Sequence, residues 1–463
     1  MRAPGEILLV SCYELGHQPL SLASPLALLA RAGYAPEAVD TSVEPLDDNT
    51  IARARLVAIA VPMHTALRLG TQVAERVRAR NAAAYIVFYG LYAALNADYL
   101  LRRHADAVIA GEYETPLLRL VEALAADRHD VIVGVGTHDH RAVPALERVP
   151  FAVPARAQLP QASHYARLRV GDRLALTGYV EATRGCLHTC AHCPITPIYH
   201  GRFFAVPREI VLADIRQQVA VGVEHITFGD PDFLNGPTHA LRIVRALHSE
   251  FPWVTFDATI KIEHILEHRR FLTEMRALGC AFVLSAVESL SATVLARLRK
   301  GHTPADVAEA LAILDAAGIP LRISLVAFTP WTTPGDYLEV LDFIAAHGLI
   351  EQVDPVQYTI RLLVPPGSAM LDEPDTREWL GALDEAAFTY RWAHPDPAMD
   401  QLYHGIQALV EAHTRAGEMP VATFAAVYAQ AAQVAGRDPL SVASAGQHAS
   451  RGSLPHLTES WFC

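Results

Sequence analysis

The chain has 463 residues, 51% of them hydrophobic, and a formal net charge of −12. That supplies a sizeable core but contains no uninterrupted apolar run of membrane-spanning length, which excludes a membrane protein as the expectation. No basic stretch offers a footprint for a phosphate backbone, which excludes nucleic acid as an expected partner.

From Met1-Arg-Ala-Pro-Gly-Glu the sequence passes directly into a strand, Ile7–Cys12, without the apolar segment and cleavage site of a signal peptide; a cytoplasmic protein is expected. Apolar runs at Ile7–Ser11, Leu56–Val61, Tyr85–Tyr89 and Ala107–Ala110 read as strands, each followed by a helix-like or turn segment. The alternation predicts a doubly wound (Rossmann-like) parallel sheet over residues 1–127. Gly90 and Gly111 end two of these runs, at the carboxyl edge where such folds bind ligands. Residues 128–178, punctuated by Pro144, Pro150, Pro154 and Pro160, read as an irregular linker.

From Tyr179 the alternation resumes and runs six times, with strands expected at Tyr179–Thr183, His225–Phe228, Thr255–Ile260, Ala281–Val287, Leu321–Phe328 and Pro355–Leu362. Helical stretches such as Ile210–Val221, Pro237–Phe251 and Tyr337–His347 lie between them. The pattern predicts an α/β fold continuing as a partial (β/α)6 barrel over residues 179–370, with its functional loops at the carboxyl ends of the strands. Residues 371–463 are expected to be mainly helical, with helices at His404–Ala416 and Ala422–Ala435 and a polar segment at Ser441–Ser453.

The chemistry is concentrated in Arg184-Gly-Cys-Leu-His-Thr-Cys-Ala-His-Cys-Pro194, where Cys186, Cys190 and Cys193 form a C-x3-C-x2-C loop after the first barrel strand. Three thiolates on a short loop suit three irons of a [4Fe–4S] cluster and leave the fourth iron open for a reacting ligand. The bland alternative uses His188 and His192 with two of the cysteines as a zinc site, yet no second ligand pair follows at the usual spacing. The other cysteines, Cys12, Cys280 and Cys463, are isolated and form no disulfide framework, which agrees with a reducing compartment.

The cysteine spacing resembles the signature of the radical S-adenosylmethionine superfamily. The resemblance implies a [4Fe–4S] cluster, S-adenosylmethionine as cofactor, and its reductive cleavage to a 5′-deoxyadenosyl radical that takes a hydrogen atom from an unknown small-molecule or peptide substrate. It also implies a reductant such as flavodoxin or ferredoxin. His192, in the place of the usual aromatic, is expected to pack near the adenine. In Phe228-Gly229-Asp230-Pro231-Asp232-Phe233, where the superfamily binds the methionyl amine, Gly229, Asp230 and Asp232 are the candidates. Glu288 and Ser289, in Ala286-Val-Glu-Ser289, are assigned to the ribose hydroxyls, with Ser289 alternatively a helix cap. Lys261 and Arg322 are assigned to a cofactor carboxylate, and Lys300 to cofactor or substrate.

The N-terminal region resembles the cobalamin-binding domain that precedes many such cores, on Pro62-Met-His64, Tyr89-Gly-Leu-Tyr92 and Gly111-Glu-Tyr-Glu-Thr-Pro116. It lacks the Asp-x-His-x-x-Gly that supplies cobalt with histidine, so cobalamin and methyl transfer through it stay open, beside a cobalamin-free reaction. The contrasting class is a nonenzymatic iron–sulfur or zinc protein that carries electrons, which needs no acidic set such as Asp230 with Glu288. The tail Leu457-Thr-Glu-Ser-Trp-Phe-Cys463 resembles that of a subgroup of these enzymes whose chains continue as Cys-selenocysteine-Ala-Glu-Pro or Cys-Cys-Ala-Glu-Pro; a selenocysteine codon after Cys463 is the expectation.

Overall fold

The computed structural model describes residues 1–147, 150–438 and 454–459. Strands β1 (Ile7–Ser11), β2 (Glu37–Asp40), β3 (Leu56–Ala60), β4 (Tyr85–Tyr89), β5 (Ala107–Ile109) and β6 (Val135–Gly136) form one sheet in the order β2-β1-β3-β4-β5-β6. All pairs are parallel except β5 with β6. β1 and β3 are buried along their whole length, because helices cover both faces and a two-sided core demands continuous apolar runs. Helices Leu20–Arg31 and Glu114–Ala125 pack with Leu9, Leu56 and Val87 on one side. Helix His64–Arg80 packs with Leu8, Val57 and Ile59 on the other, giving the doubly wound arrangement. β2 was not expected: Glu37-Ala-Val-Asp40 is an edge strand paired only with β1, and an edge needs no apolar run.

The stretch 128–178, expected to be wholly irregular, contains β6, then β7 (Arg167–Val170) and most of β8 (Arg173–Val180). β7 and β8 form an antiparallel hairpin turned by Gly171 at φ +59°, and their arginine-rich, half-exposed sequence hides its strand character. The proline-rich part before them holds only short 3-10 turns, Arg156–Gln158 and Ala162–His164.

A short antiparallel pair, β9 (Thr183–Gly185) with β10 (Phe203–Ala205), brackets the cysteine loop. β11 (His225–Phe228), β12 (Thr255–Thr259), β13 (Cys280–Glu288) and β14 (Leu321–Leu325) complete the half-barrel in parallel with β8. β15 (Leu380–Asp384) and β16 (Thr389–Trp392) are a hairpin in the region expected to be helical, and β17 (His456–Leu457) adds to β7. The larger sheet therefore runs β14-β13-β12-β11-β8-β7-β17. Ile226, Phe256, Val283 and Ile323 pack outward with Ile215, Val244, Leu311 and Leu341 of the surrounding helices. Alternate residues such as Tyr179, Thr227 and Asp257 then face the concave side.

The sixth expected strand, Pro355–Leu362, is a 3-10 turn over Pro355–Thr359 followed by a single parallel bridge between Arg361 and Phe328. Pro355 has no N–H for a ladder, and Asp354 Oδ1 accepts from Val356 N at 3.2 Å, which starts a turn. Gln357 Oε1 instead accepts from Leu325 N at 2.9 Å, a side chain standing where a strand carbonyl would be.

In the C-terminal region helices Pro397–Ala416 and Pro420–Val434 occupy the two expected places, beginning earlier because each has proline in its first turn. The β15–β16 hairpin carries Phe388, 3% exposed, into the N-terminal core beside His64 and Tyr99. The segment 441–453 and Cys463 lie outside the described residues. Among the described residues no helix is long and apolar enough to cross a membrane.

Candidate active site

The cysteine loop does not leave the first barrel strand directly; β9 intervenes, and Gly185 makes the turn at φ +76°, where a Cβ would stand 2.5 Å from Arg202 O. The loop is fixed from several elements. Ala191 N donates to Leu298 O at 3.0 Å, Thr196 Oγ1 to Cys190 O at 2.8 Å, and Leu187 N to Asn235 Oδ1 at 3.2 Å. Cys186, Cys190 and Cys193 are free thiols. Burial raises the thiol pKa of Cys186 and pushes that of Cys193 up to about 12. Such groups ionise only against a cation, and three soft donors in one partly dry loop suit iron in a cluster.

Two residues before Cys186, Arg184 is buried between both halves of the chain. Its Nη1 lies 3.0 Å from Glu112 Oε2 and 2.5 Å from Glu114 Oε1, and its Nε 2.7 Å from Glu181 Oε2. Tyr199 donates to Glu112 at 2.8 Å and Ser24 to Glu114 at 2.7 Å. Glu112 and Glu114 follow β5 in the segment Gly111-Glu-Tyr-Glu, so the carboxyl edge of the N-terminal sheet holds the start of the cysteine loop.

Glu288 ends β13 with a left-handed backbone, φ +63°, where the register with β14 slips. A left-handed glutamate is uncommon and costs free energy unless its surroundings hold it. His192 Nε2 lies 3.2 Å and Lys300 Nζ 3.1 Å from its Oε1. Burial disfavours the carboxylate, but Lys300 and His192 outweigh burial and bring its pKa down to about 2. A permanently ionised acceptor therefore faces the loop, and the structure brings His192, Glu288 and Lys300 together. Ser289 is turned to a local task, its Oγ accepting from Ser291 N at 3.1 Å.

Asp230 is committed within the protein. It accepts from Ala182 N at 2.9 Å and Thr183 Oγ1 at 2.6 Å, tying the β8–β9 connection, and burial raises its pKa to about 7. Gly229 carries Tyr179 against its α-carbon, since a Cβ would stand 1.9 Å from the phenol oxygen. Asp232 and Lys261 meet at His188 of the cysteine loop. Asp232 Oδ2 is 3.4 Å from His188 Nε2 and 2.7 Å from His264 Nδ1, and Lys261 Nζ is 3.2 Å from His188 Nδ1 while pairing with Glu263. Burial opposes ionisation of Asp232, but the two histidines outweigh it and lower its pKa.

Arg322 lies elsewhere. As the second residue of β14 it sits near the amino end of the strand, its guanidinium 5.8 Å from the Phe282 ring centre, lining a cavity of about 390 Å³ with Arg169 and Asp354. Sequence reasoning did not single out His264, Glu263, Arg184 or Asn235. His264 is three residues past Lys261 in the first turn after β12, a carboxyl-end position that the barrel rule points to.

At the edge of the N-terminal sheet a cavity of about 690 Å³ lies between Leu95 and Ala110 on one side and Ile198, Gly367 and Tyr390 on the other. Among the described residues its lining contains neither histidine nor cysteine. His64 is not part of that lining, and its Nε2 is bonded to Ala387 O at 2.7 Å. The described lining gives cobalt no histidine, so it is compatible only with a corrinoid held without one.

Residues 180–344 match the family described as the Radical SAM superfamily, so the half-barrel is a radical SAM domain. Curated relatives include the ribosomal protein uS12 methylthiotransferase RimO of Geobacter sulfurreducens, 24% identical over 251 residues, covering 49% of this chain and 53% of that protein. Another is the hopanoid C-3 methylase of Methylococcus capsulatus, 24% identical, covering 49% and 43%. The chain spans about half the length of these relatives. Among solved structures, the cobalamin-dependent S-adenosylmethionine radical enzyme OxsB with aqua-cobalamin aligns with a TM-score of 0.70 at 16% identity, covering 88% of this chain and 67% of that one. The radical S-adenosylmethionine methyltransferase TsrM from Kitasatospora setae aligns at 0.60 with 17% identity, covering 74% and 70%. At these identities the structural likeness establishes the fold.

Proposed function

We propose that the chain is a radical SAM enzyme that holds a [4Fe–4S] cluster on Cys186, Cys190 and Cys193 and uses it to cleave S-adenosylmethionine reductively. The observation that carries the reading is the loop of three free cysteines at the carboxyl end of the half-barrel, within the segment that matches the family. When bound, cluster and cofactor supply an electron, delivered by a flavodoxin- or ferredoxin-like donor, and a 5′-deoxyadenosyl radical for hydrogen abstraction. The chain's own residues position and seal. Glu288, held ionised by Lys300, offers acceptor oxygens to the ribose hydroxyls, and His192 lies beside it for the adenosine. Lys261 offers a charge to the methionyl carboxylate. With its oxygens already bonded, Asp230 positions the loop rather than binding the amine.

A second reading, methyl transfer assisted by cobalamin, is favoured by the cavity walled from both halves of the chain and by likeness to two cobalamin-binding enzymes. The test of the main reading is anaerobic reconstitution. About four irons per chain and 5′-deoxyadenosine formed from S-adenosylmethionine under strong reductant are expected, and alanine at any one of the three cysteines abolishes turnover. Full turnover by all three single variants refutes it.

A further inference from the structure

His188, Asp232 and His264 come from three separate elements: the cysteine loop, the turn after β11 and the first helical turn after β12. His188 Nε2, Asp232 Oδ2 and His264 Nδ1 all lie within 4.8 Å of one another. We propose that these three atoms form a mononuclear site for a divalent transition-metal ion, zinc or iron(II), distinct from the three-cysteine cluster site.

Asp232 is 2% exposed, and its Oδ1 is spent on Leu234 N at 3.2 Å, so one oxygen alone faces the histidines. Two imidazole nitrogens stand 2.7 and 3.4 Å from that oxygen, yet none of the three atoms makes a contact of hydrogen-bond geometry. Buried polar atoms left without hydrogen bonds are costly and call for a partner. Donors aimed at one ion about 2.0–2.2 Å from each stand roughly 3 Å apart, and here the separations would suit a hydrogen bond but the geometry does not.

The surroundings favour a cation. Asp232, Glu263 and Glu267 put three carboxylates around His264, against the single ammonium of Lys261, itself paired with Glu263. His188 Nδ1 faces the Lys261–Glu263 ion pair, 3.2 Å from Lys261 Nζ and 3.6 Å from Glu263 Oε2, which puts a carboxylate one layer out from the ion. Two histidines and one carboxylate are the donor set of open zinc sites and of iron(II) sites with free positions. Such an ion would present those positions at the mouth of the barrel, where an oxygen or nitrogen donor of the substrate can take them.

The test uses cluster-loaded protein, dialysed anaerobically against zinc sulfate or ferrous ammonium sulfate and desalted. One zinc per chain beyond about four cluster irons is expected, with iron(II) in its place in the ferrous arm. Zinc X-ray absorption should show imidazole and oxygen near 2.0–2.2 Å and no sulfur near 2.3 Å. His264→Ala and Asp232→Asn should each lose the zinc and keep the cluster irons, while Glu263→Gln should bind zinc about 10-fold more weakly. His188→Gln replaces either variant if its circular dichroism departs from wild type. Sulfur in the zinc shell, undiminished zinc in both variants, or no uptake of either ion by wild-type protein overturns the proposal. Protein that takes up no cluster iron but binds zinc through nitrogen and oxygen refutes the cluster reading and upholds this site.

Discussion

Replacing His17 with phenylalanine should flatten the acid limb of the stability curve. His17 follows β1, is 5% exposed, packs 4.9 Å from the Tyr179 ring and has no hydrogen-bond partner at Nδ1. Burial is the main cause that depresses its pKa to about 4, with His225 and Arg156 acting in the same direction and Asp257 opposing. The ring therefore stays neutral when folded, while an unfolded histidine titrates near 6.5. Its contribution is fully present above pH 6.5 and is lost as pH falls toward 4, because the unfolded chain takes up the proton first. A displacement of about 2.5 units at 1.36 kcal/mol each gives about 3 kcal/mol across that window. The assay is anaerobic urea unfolding of wild-type protein and His17→Phe from pH 7.5 to 4.5, taking the difference so that acid effects common to both cancel. The variant should match wild type near pH 7.5 and gain on it as the pH falls. Parallel pH profiles would refute the reasoning.

Arg156→Met should cost about 3–5 kcal/mol, because Asp214, bonded at 2.9 Å through both oxygens, is left buried and unpaired; urea unfolding of Arg156→Met/Asp214→Leu should recover much of the loss. Gln357→Ala should cost about 1–3 kcal/mol by stranding Leu325 N at the open edge of the barrel, read from the thermal midpoint. Protein produced with added cobalamin is expected to carry a visible corrinoid spectrum near stoichiometry, and a bulky Ala110→Trp at the cavity wall should remove it without lowering cluster iron; well-folded, active protein free of corrinoid removes the methyl-transfer reading.

Elements with two covered faces were the legible ones. β1, β3, β4 and β5 follow from unbroken apolar runs, whereas β2 and β7 sit at or near edges and carry Glu37, Asp40, Arg167 and Arg169, whose polarity conceals them. The sixth barrel position failed because a hydrogen bond from a side chain, Gln357, replaces a ladder that propensity cannot distinguish from it. Strand ends told where chemistry gathers, and Asp232, Lys261 and Glu288 do meet the cysteine loop through His188 and His192. Arg322 was placed by strand membership alone, yet one turn of register decides which end of a barrel a side chain serves. Asp230 looked like a ligand because it stands in the segment where the superfamily binds the methionyl amine, but the β8–β9 connection folds back onto it.

The buried contacts of Arg184 bear on how this protein can be taken apart. A half-barrel produced alone would keep that guanidinium but lose Glu112 and Glu114, and a transplanted N-terminal unit would carry two carboxylates into a host without their counter-ion. The first truncation leaves Arg184 with Glu181 but without Glu112 and Glu114, two residues from Cys186, and the second leaves those two carboxylates without their cation, so recombining domains between relatives requires exchanging the three residues as one unit.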